Sequence, residues 1–72
     1  MKRIEIVADV AGKVWKIEAR TGSRLNAEDS IVILECMKME IPVLAPAPGT
    51  LLELRVAEGD TVAEGDVVAV IG

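Results

Sequence analysis

The sequence contains no histidine, tyrosine or phenylalanine, and Trp15 is its only aromatic residue. Without histidine, no side chain has an ordinary pKa near neutral pH, so a general base would have to be a strongly shifted carboxylate or lysine. A metal site built from clustered histidines and cysteines is missing too. We therefore expect a chain that holds no metal, has no catalytic residues and is not an enzyme by itself.

Cysteine and long apolar runs are equally scarce. Cys36 is the only cysteine, which excludes a disulfide within the chain and is typical of a reducing compartment. The longest apolar runs, 31–34 and 67–71, are far shorter than the roughly 20 residues that span a bilayer. Glu5 and Asp9 interrupt the apolar residues near the start, so no signal-peptide core is present. These features predict a cytoplasmic protein.

The charge and the length narrow the choice further. Eight basic and twelve acidic residues give a net charge of −4, the wrong sign for binding nucleic acid or an anionic membrane surface. A chain of 72 residues has enough apolar surface for one small domain, so we expect a single domain over 1–72. Because its apolar residues are mainly Val, Ile, Leu and Ala, an all-β fold is favoured.

The sequence matches itself without a gap when it is shifted so that Gly12 falls on Gly49, 37 positions later. The other matched pairs are Ala8 and Ala45, Val14 and Leu51, Ile17 and Leu54, Gly22 and Gly59, Leu25 and Val62, Asp29 and Asp66, Ile31 and Val68, Ile33 and Val70, and Leu34 and Ile71. Two copies are too few for a solenoid, so the repeat predicts a closed pair of halves with a pseudo-two-fold axis.

Alternating apolar residues within each half predict short strands separated by turns. The predicted strands are 3–8, 12–18, 24–26, 31–35, 40–45, 49–56, 61–63 and 67–71, which gives four strands to each half.

The segment Cys36 to Met39 should form the tip of a hairpin between two of these strands. Tight hairpin turns favour Asn, Asp or Gly, whereas this tip places two methionines around Lys38. The repeat contains no second copy of this tip, because position 38 corresponds to position 1. Departures from local folding rules concentrate at functional sites, so the tip is the candidate site.

The run from Glu35 to Glu40, with the letters ECMKME, resembles the E-A-M-K-M signature of biotinyl domains, with Cys36 in place of the usual Ala. The sequence from Ile41 to Asp66 also resembles the second half of biotinyl and lipoyl attachment domains. With the repeat included, the resemblance extends over nearly the whole chain.

The resemblance implies a flattened eight-stranded barrel of two four-stranded antiparallel sheets, without the thumb insertion of some relatives because the repeat has no gap. It implies covalent biotin on Lys38, attached by a biotin protein ligase. A biotin carboxylase would load a carboxyl group onto the biotin and a carboxyltransferase would pass it to an acceptor. The acceptor substrate stays open.

The residues around Lys38 receive less specific roles. We expect Met37 and Met39 to serve recognition, because methionine adapts to partner surfaces. Glu35 and Glu40 either contact the ligase or keep the tip soluble. Two further expectations are that Cys36 is a small buried side chain and that Trp15 belongs to the core.

Two other functions stay open at this point. A lipoyl carrier, or one that accepts both cofactors, would share the fold, although lipoyl domains typically have Asp-Lys-Ala at the tip. An unmodified β module used for assembly would not need Lys38.

Overall fold

The computed structural model describes residues 3–72. These residues form eight β-strands and no helix. Alternation of buried and exposed side chains marks most strands as two-faced, as in Ile4–Val7, where Ile6 alone is buried. The strands are β1 Ile4–Val7, β2 Gly12–Ile17, β3 Arg24–Leu25, β4 Ser30–Cys36, β5 Met39–Leu44, β6 Gly49–Leu54, β7 Thr61–Val62 and β8 Val67–Ile71.

The strands form two four-stranded antiparallel sheets, with the orders β1-β8-β6-β3 and β5-β4-β2-β7. Each sheet takes two strands from each half of the sequence, so neither half is a folding unit on its own. The two sheets face each other as a flattened sandwich rather than a fully closed barrel. The all-β fold, the eight strands and the division into two sheets of four are therefore confirmed.

The core between the sheets is aliphatic. Its largest fully buried side chains are those of Ile31, Leu34, Leu51, Ile71, Val14, Val32, Val68 and Val70. The prediction that Trp15 belongs to the core is wrong, because this side chain is 49% exposed. The indole lies on the outer side of β2, whose buried face is represented by Val14. Branched aliphatic side chains fill the narrow space between the sheets without it.

The pseudo-two-fold repeat is visible in individual hydrogen bonds. The Gly22 amide donates to the Leu51 carbonyl at 2.7 Å, and the Gly59 amide donates to the Val14 carbonyl at 2.8 Å. Gly59 is the repeat counterpart of Gly22, and Val14 is the counterpart of Leu51, so the two hydrogen bonds are equivalent. Each half of the chain therefore closes its turn on a strand of the other half, which makes the two halves interdependent.

The repeat also explains a backbone outlier. Glu28 has a φ of 71°, a conformation unusual for a residue with a side chain, and its counterpart Gly65 has a φ of 90°. The amides of these two residues donate equivalent hydrogen bonds, to the carbonyls of Ala45 and Ala8. The turn geometry is thus shared by both halves, and only one half has the glycine that fits it without strain.

Several strand boundaries differ from those predicted. β4 begins at Ser30 and extends to Cys36, and β5 begins at Met39, so the tip between them is shorter than expected. β6 ends at Leu54, because the chain bends into the next turn. Residues 3–72 include no helix long and apolar enough to cross a membrane.

Candidate functional site: the hairpin that presents Lys38

The hairpin between β4 and β5 holds the candidate site, and its tip is a turn of two residues. Cys36 pairs with Met39, so Met37 and Lys38 are the central residues of the turn. Their φ angles are 51° and 66°, both in the left-handed region. This is the backbone of a primed hairpin turn, which matches the twist of the flanking strands and normally takes Asn-Gly or Asp-Gly.

The turn is strained because neither central residue is suited to its conformation. A residue with a Cβ atom loses about 1–2 kcal/mol in the left-handed region. Met37 is 89% exposed, so packing of its side chain offsets little of the strain, and Met39 beside the turn is 61% exposed. Lys38 is exposed as well. The hairpin therefore presents an amine and two large apolar side chains to solvent at the expense of folding stability.

We predict that Met37→Asn raises the free energy of unfolding by about 1 kcal/mol, because Asn tolerates the left-handed conformation. Chemical denaturation of the parent and the variant measures the difference. Met39→Asn is the matched control: Met39 is the first residue of β5 and is absent from the positive-φ residues, so Asn should gain nothing there. A loss of stability in the Met37 variant would contradict a strained turn.

Buried residues anchor the base of the hairpin. Ile31, Val32 and Leu34 on β4 are fully buried, and β4 lies between β5 and β2 in its sheet. Leu34 pairs with Ile41 on one side and with Val14 on the other. Because side chains at the base are packed on both sides, the backbone that leads to Lys38 has little freedom to move.

Gly12 lets β2 lie close to the outer end of β4. A Cβ atom at position 12 would be 2.6 Å from the carbonyl oxygen of Glu35, closer than nonbonded atoms approach. A Cβ atom at Gly49, the equivalent position of the repeat, would be 3.2 Å from the carbonyl oxygen of Gly72. The closer contact occurs on the strand that carries the Lys38 turn.

Gly12→Ala should therefore destabilise the protein by about 1–3 kcal/mol, since the added methyl group forces the backbone of β2 and β4 apart. The pseudo-symmetric variant Gly49→Ala serves as the control and should lose clearly less. Thermal unfolding of both variants measures the order. An equal or larger loss for Gly49→Ala would show that the contact at Glu35 is not the tighter one.

Two carboxylates face each other beside the turn. Glu35 and Glu40 are exposed and directly opposite on β4 and β5, an arrangement that destabilises a hairpin through like-charge repulsion. Lys13 lies opposite Glu35 on the other side. No ion pair involves these three residues among the ion pairs of residues 3–72. Cys36 is a free thiol and is half-buried, so the expectation of a buried side chain is wrong.

The hairpin thus brings together all five residues singled out in the sequence. Glu35 to Glu40 form one continuous stretch over the end of β4, the turn and the start of β5. Sequence reasoning missed the role of Gly12, whose only signal was its match to Gly49 in the repeat. It also missed the positive φ angles at the tip, although the lack of Asn, Asp and Gly there was the signal of strain.

The sequence matches a biotin and lipoyl family model described as "Biotin-requiring enzyme" over residues 5–71. The chain belongs to this biotin/lipoyl attachment family. Its small relatives have a similar length. The biotin/lipoyl attachment protein of Bacillus subtilis is 42% identical over 59 residues, which cover 82% of this chain and 81% of that protein. The biotinylated protein TB7.3 homolog of Mycobacterium leprae is 37% identical over 67 residues, which cover 93% and 94%.

Members of the attachment family also occur inside much larger chains. The crystal structure of the Kluyveromyces lactis urea carboxylase matches this fold with a TM-score of 0.95 and 33% sequence identity. The match covers 100% of this chain and 6% of the carboxylase. The same fold therefore exists both in short proteins and as a small part of a much longer carboxylase chain.

Proposed function

We propose that Lys38 carries covalently attached biotin and that the chain transports carboxyl groups between two active sites of a biotin-dependent carboxylase. The observation that carries this proposal is the exposed Lys38 on a strained two-residue turn, in a chain of a biotin-requiring family. An exposed lysine without that turn would be an ordinary surface charge.

Attachment requires the Lys38 amine to attack the activated carbonyl carbon of biotin. A carbon–nitrogen bond forms, the activating group leaves with its bonding electrons, and the amine gives up a proton. Among the residues of the hairpin, only the Glu35 and Glu40 carboxylates carry a charge that could hold a departing proton, and both are exposed. A biotin protein ligase would supply the activated biotin and the base.

The structure suits an attached group that must be handed from one enzyme to another. Met37 and Lys38, the two residues of the turn, are exposed, so a group attached to Lys38 would extend away from the protein. When bound, biotin supplies the ring that accepts and releases the carboxyl group. The chain contributes a rigid base and a tether, which raise the effective concentration of that ring at each partner.

The proposed partners follow from this transport. A biotin carboxylase would load the carboxyl group and a carboxyltransferase would remove it, and the chain itself would perform neither step. The match of this fold to a small part of a urea carboxylase supports the proposal that the chain serves an enzyme of this class. The identity of the acceptor would be decided by the carboxyltransferase.

Co-expression with a biotin protein ligase tests the attachment. The intact mass should increase by one biotinyl amide, and peptide mapping should place it on Lys38 rather than on Lys13 or Lys16. A parallel culture with a lipoate ligase tests the competing cofactor. Lipoylation of Lys38 without biotinylation, or biotin on another lysine, would contradict the proposal.

A further inference from the structure

An apolar surface lies on the outside of the sheet that ends in the Lys38 turn. Trp15 is on β2, which lies between β4 and β7. Its indole is 49% exposed and faces away from the core. Trp15 occupies a bulge next to Lys16, and Ile33 pairs with Lys16 on β2 and with Pro42 on β5. Pro42 is exposed and Ile33 is partly exposed. We call Trp15, Ile33 and Pro42 the apolar row.

The repeat provides an internal comparison, because the other sheet has the same register. The counterparts of the apolar row are Leu52, Val70 and Glu5. Val70 is only 2% exposed, although it occupies the outward position that matches the partly exposed Ile33. Two arginines border it together with Glu5.

Those arginines form a small ion-pair network over the second sheet. Arg3 and Arg55 both contact Glu53, the latter with 3.5 Å between Nε and Oε1. The positions that correspond to Arg3, Glu53 and Arg55 in the first sheet are Glu40, Lys16 and Glu18. Lys16 and Glu18 form an ion pair of 3.9 Å, the counterpart of the pair between Arg55 and Glu53, but Glu40 takes no part in it. The face over Val70 thus carries a network of three charged side chains, whereas the face beside Lys38 carries a single ion pair and leaves Ile33 partly exposed.

A charged row separates the apolar row from the turn. It consists of Lys13, Glu35 and Glu40, which lie side by side across β2, β4 and β5. Beside Trp15, a depression of about 250 Å³ is lined by Lys13, Val14, Trp15, Glu35 and Gly59. This volume is below the range of roughly 300–1,000 Å³ typical of small-molecule sites, so it suits one inserted side chain.

We propose that the apolar row and the charged row together form the docking face for the biotin protein ligase, which rests on the proposed function of Lys38. The carboxylates of Glu35 and Glu40, which form no ion pair within residues 3–72, select a partner surface that is apolar with basic side chains toward the turn. The indole of Trp15 acts as the anchor, since buried tryptophans dominate binding energy at interfaces.

The geometry favours the ligase over the carboxylase as the occupant. The ligase must bring the bare Lys38 amine, on its four-carbon stem, within about 3–3.5 Å of an activated carbonyl. Its surface must therefore close around the hairpin itself. Once biotin is attached, the reactive ring stands farther out by the length of biotin, so a carboxylase can receive it without covering the sheet.

The distances agree with an interface of ordinary size. Trp15 lies between the pairs formed by Leu34 and Ile33, two to three residues from the last pair before the turn. At about 3.3 Å per residue, that separation is about 7–10 Å along the strands. An interface that buries about 800 Å² on one partner, drawn as a disc, has a radius of about 16 Å. Lys38 lies one residue beyond that pair and β2 lies one strand from β4, about 4.8 Å to the side, so Trp15 still falls within that radius of Lys38.

Steady-state biotinylation by a purified biotin protein ligase tests the docking face. Trp15→Ala should raise the KM for the carrier about tenfold and change kcat less than twofold, because uniform binding is lost while the amine stays in place. Pro42→Glu introduces the residue found at the matching position of the other sheet, Glu5, and should also raise KM. Leu52→Ala, the pseudo-symmetric counterpart of Trp15→Ala, is the control and should leave both constants unchanged.

A second measurement separates docking from general damage. Trp15→Ala that has been biotinylated to completion should be carboxylated by biotin carboxylase at the rate of the biotinylated parent. An unchanged KM in both row variants, an equal effect of Leu52→Ala, or an equal loss in the carboxylation step would overturn the docking face. If the parent itself is not biotinylated, the proposed function fails and the docking face fails with it.

Discussion

Replacing Lys38 with arginine should abolish biotinylation completely and leave the fold intact. Arginine keeps the positive charge, but its guanidinium stays protonated and cannot act as the nucleophile. Because the side chain is exposed, the free energy of unfolding should change by less than about 0.5 kcal/mol. Intact mass after incubation with ligase, ATP and biotin measures the first effect, and urea denaturation measures the second.

Lys13→Arg and Lys16→Arg provide matched controls on β2 of the same sheet. Both should reach the same final extent of labelling on Lys38 as the parent, since these lysines project from a strand rather than from the turn and arginine keeps the charge of Lys13 in the charged row. Residual labelling of Lys38→Arg that disappears when Lys13 or Lys16 is also replaced would show that the ligase does not select by position.

Exchanging two neighbours should slow biotinylation by about 100-fold. The double variant Lys38→Met, Met39→Lys keeps composition and charge but moves the amine from the turn to the first residue of β5. One step along a strand is about 3.3 Å and reverses the direction of the side chain, whereas a misplacement of about 1 Å can reduce a rate by about 100-fold. Initial rates with limiting ligase measure the effect.

The single variant Met39→Lys, which retains Lys38, distinguishes position from a disturbance at residue 39. It should be labelled only on Lys38 and much faster than the exchanged variant, and any loss relative to the parent would report the recognition expected of Met39. Equal rates for the exchanged variant and the parent would mean that the ligase recognises a flexible peptide instead of a lysine held by a rigid turn.

The number of strands in each half could be predicted from the sequence, because it depends on the spacing of apolar residues along the chain. The gapless repeat and the alternating apolar residues predicted four strands in each half, and the equivalent hydrogen bonds of Gly22 and Gly59 confirm that relation. The position of Trp15 was not accessible in this way. Its neighbours in sequence do not show that a bulge places it on the outer face, because the bulge arises from pairing with β4, which is distant in sequence.

The same limit applies at the hairpin. The residue types at positions 36 to 39 predicted a tip that is exposed and functional. The exposure of Met37 and Met39 confirms the first part, and the functional role stays a prediction. The two-residue turn and its positive φ angles depend on the register between Cys36 and Met39. Register is set by the packing of residues such as Leu34 and Ile41 across strands, and a list of apolar residues does not specify it.

Transfer of labelled carboxyl groups tests the central claim that Lys38 carries biotin as a carboxyl carrier. The biotinylated chain is incubated with biotin carboxylase, ATP and radiolabelled bicarbonate, and the protein is then separated from small molecules. We predict label on the biotinylated parent, none on the Lys38→Arg variant, and release of the label when a carboxyltransferase and its acceptor are added. A biotinylated chain that stays unlabelled while the same enzyme carboxylates free biotin would contradict the claim.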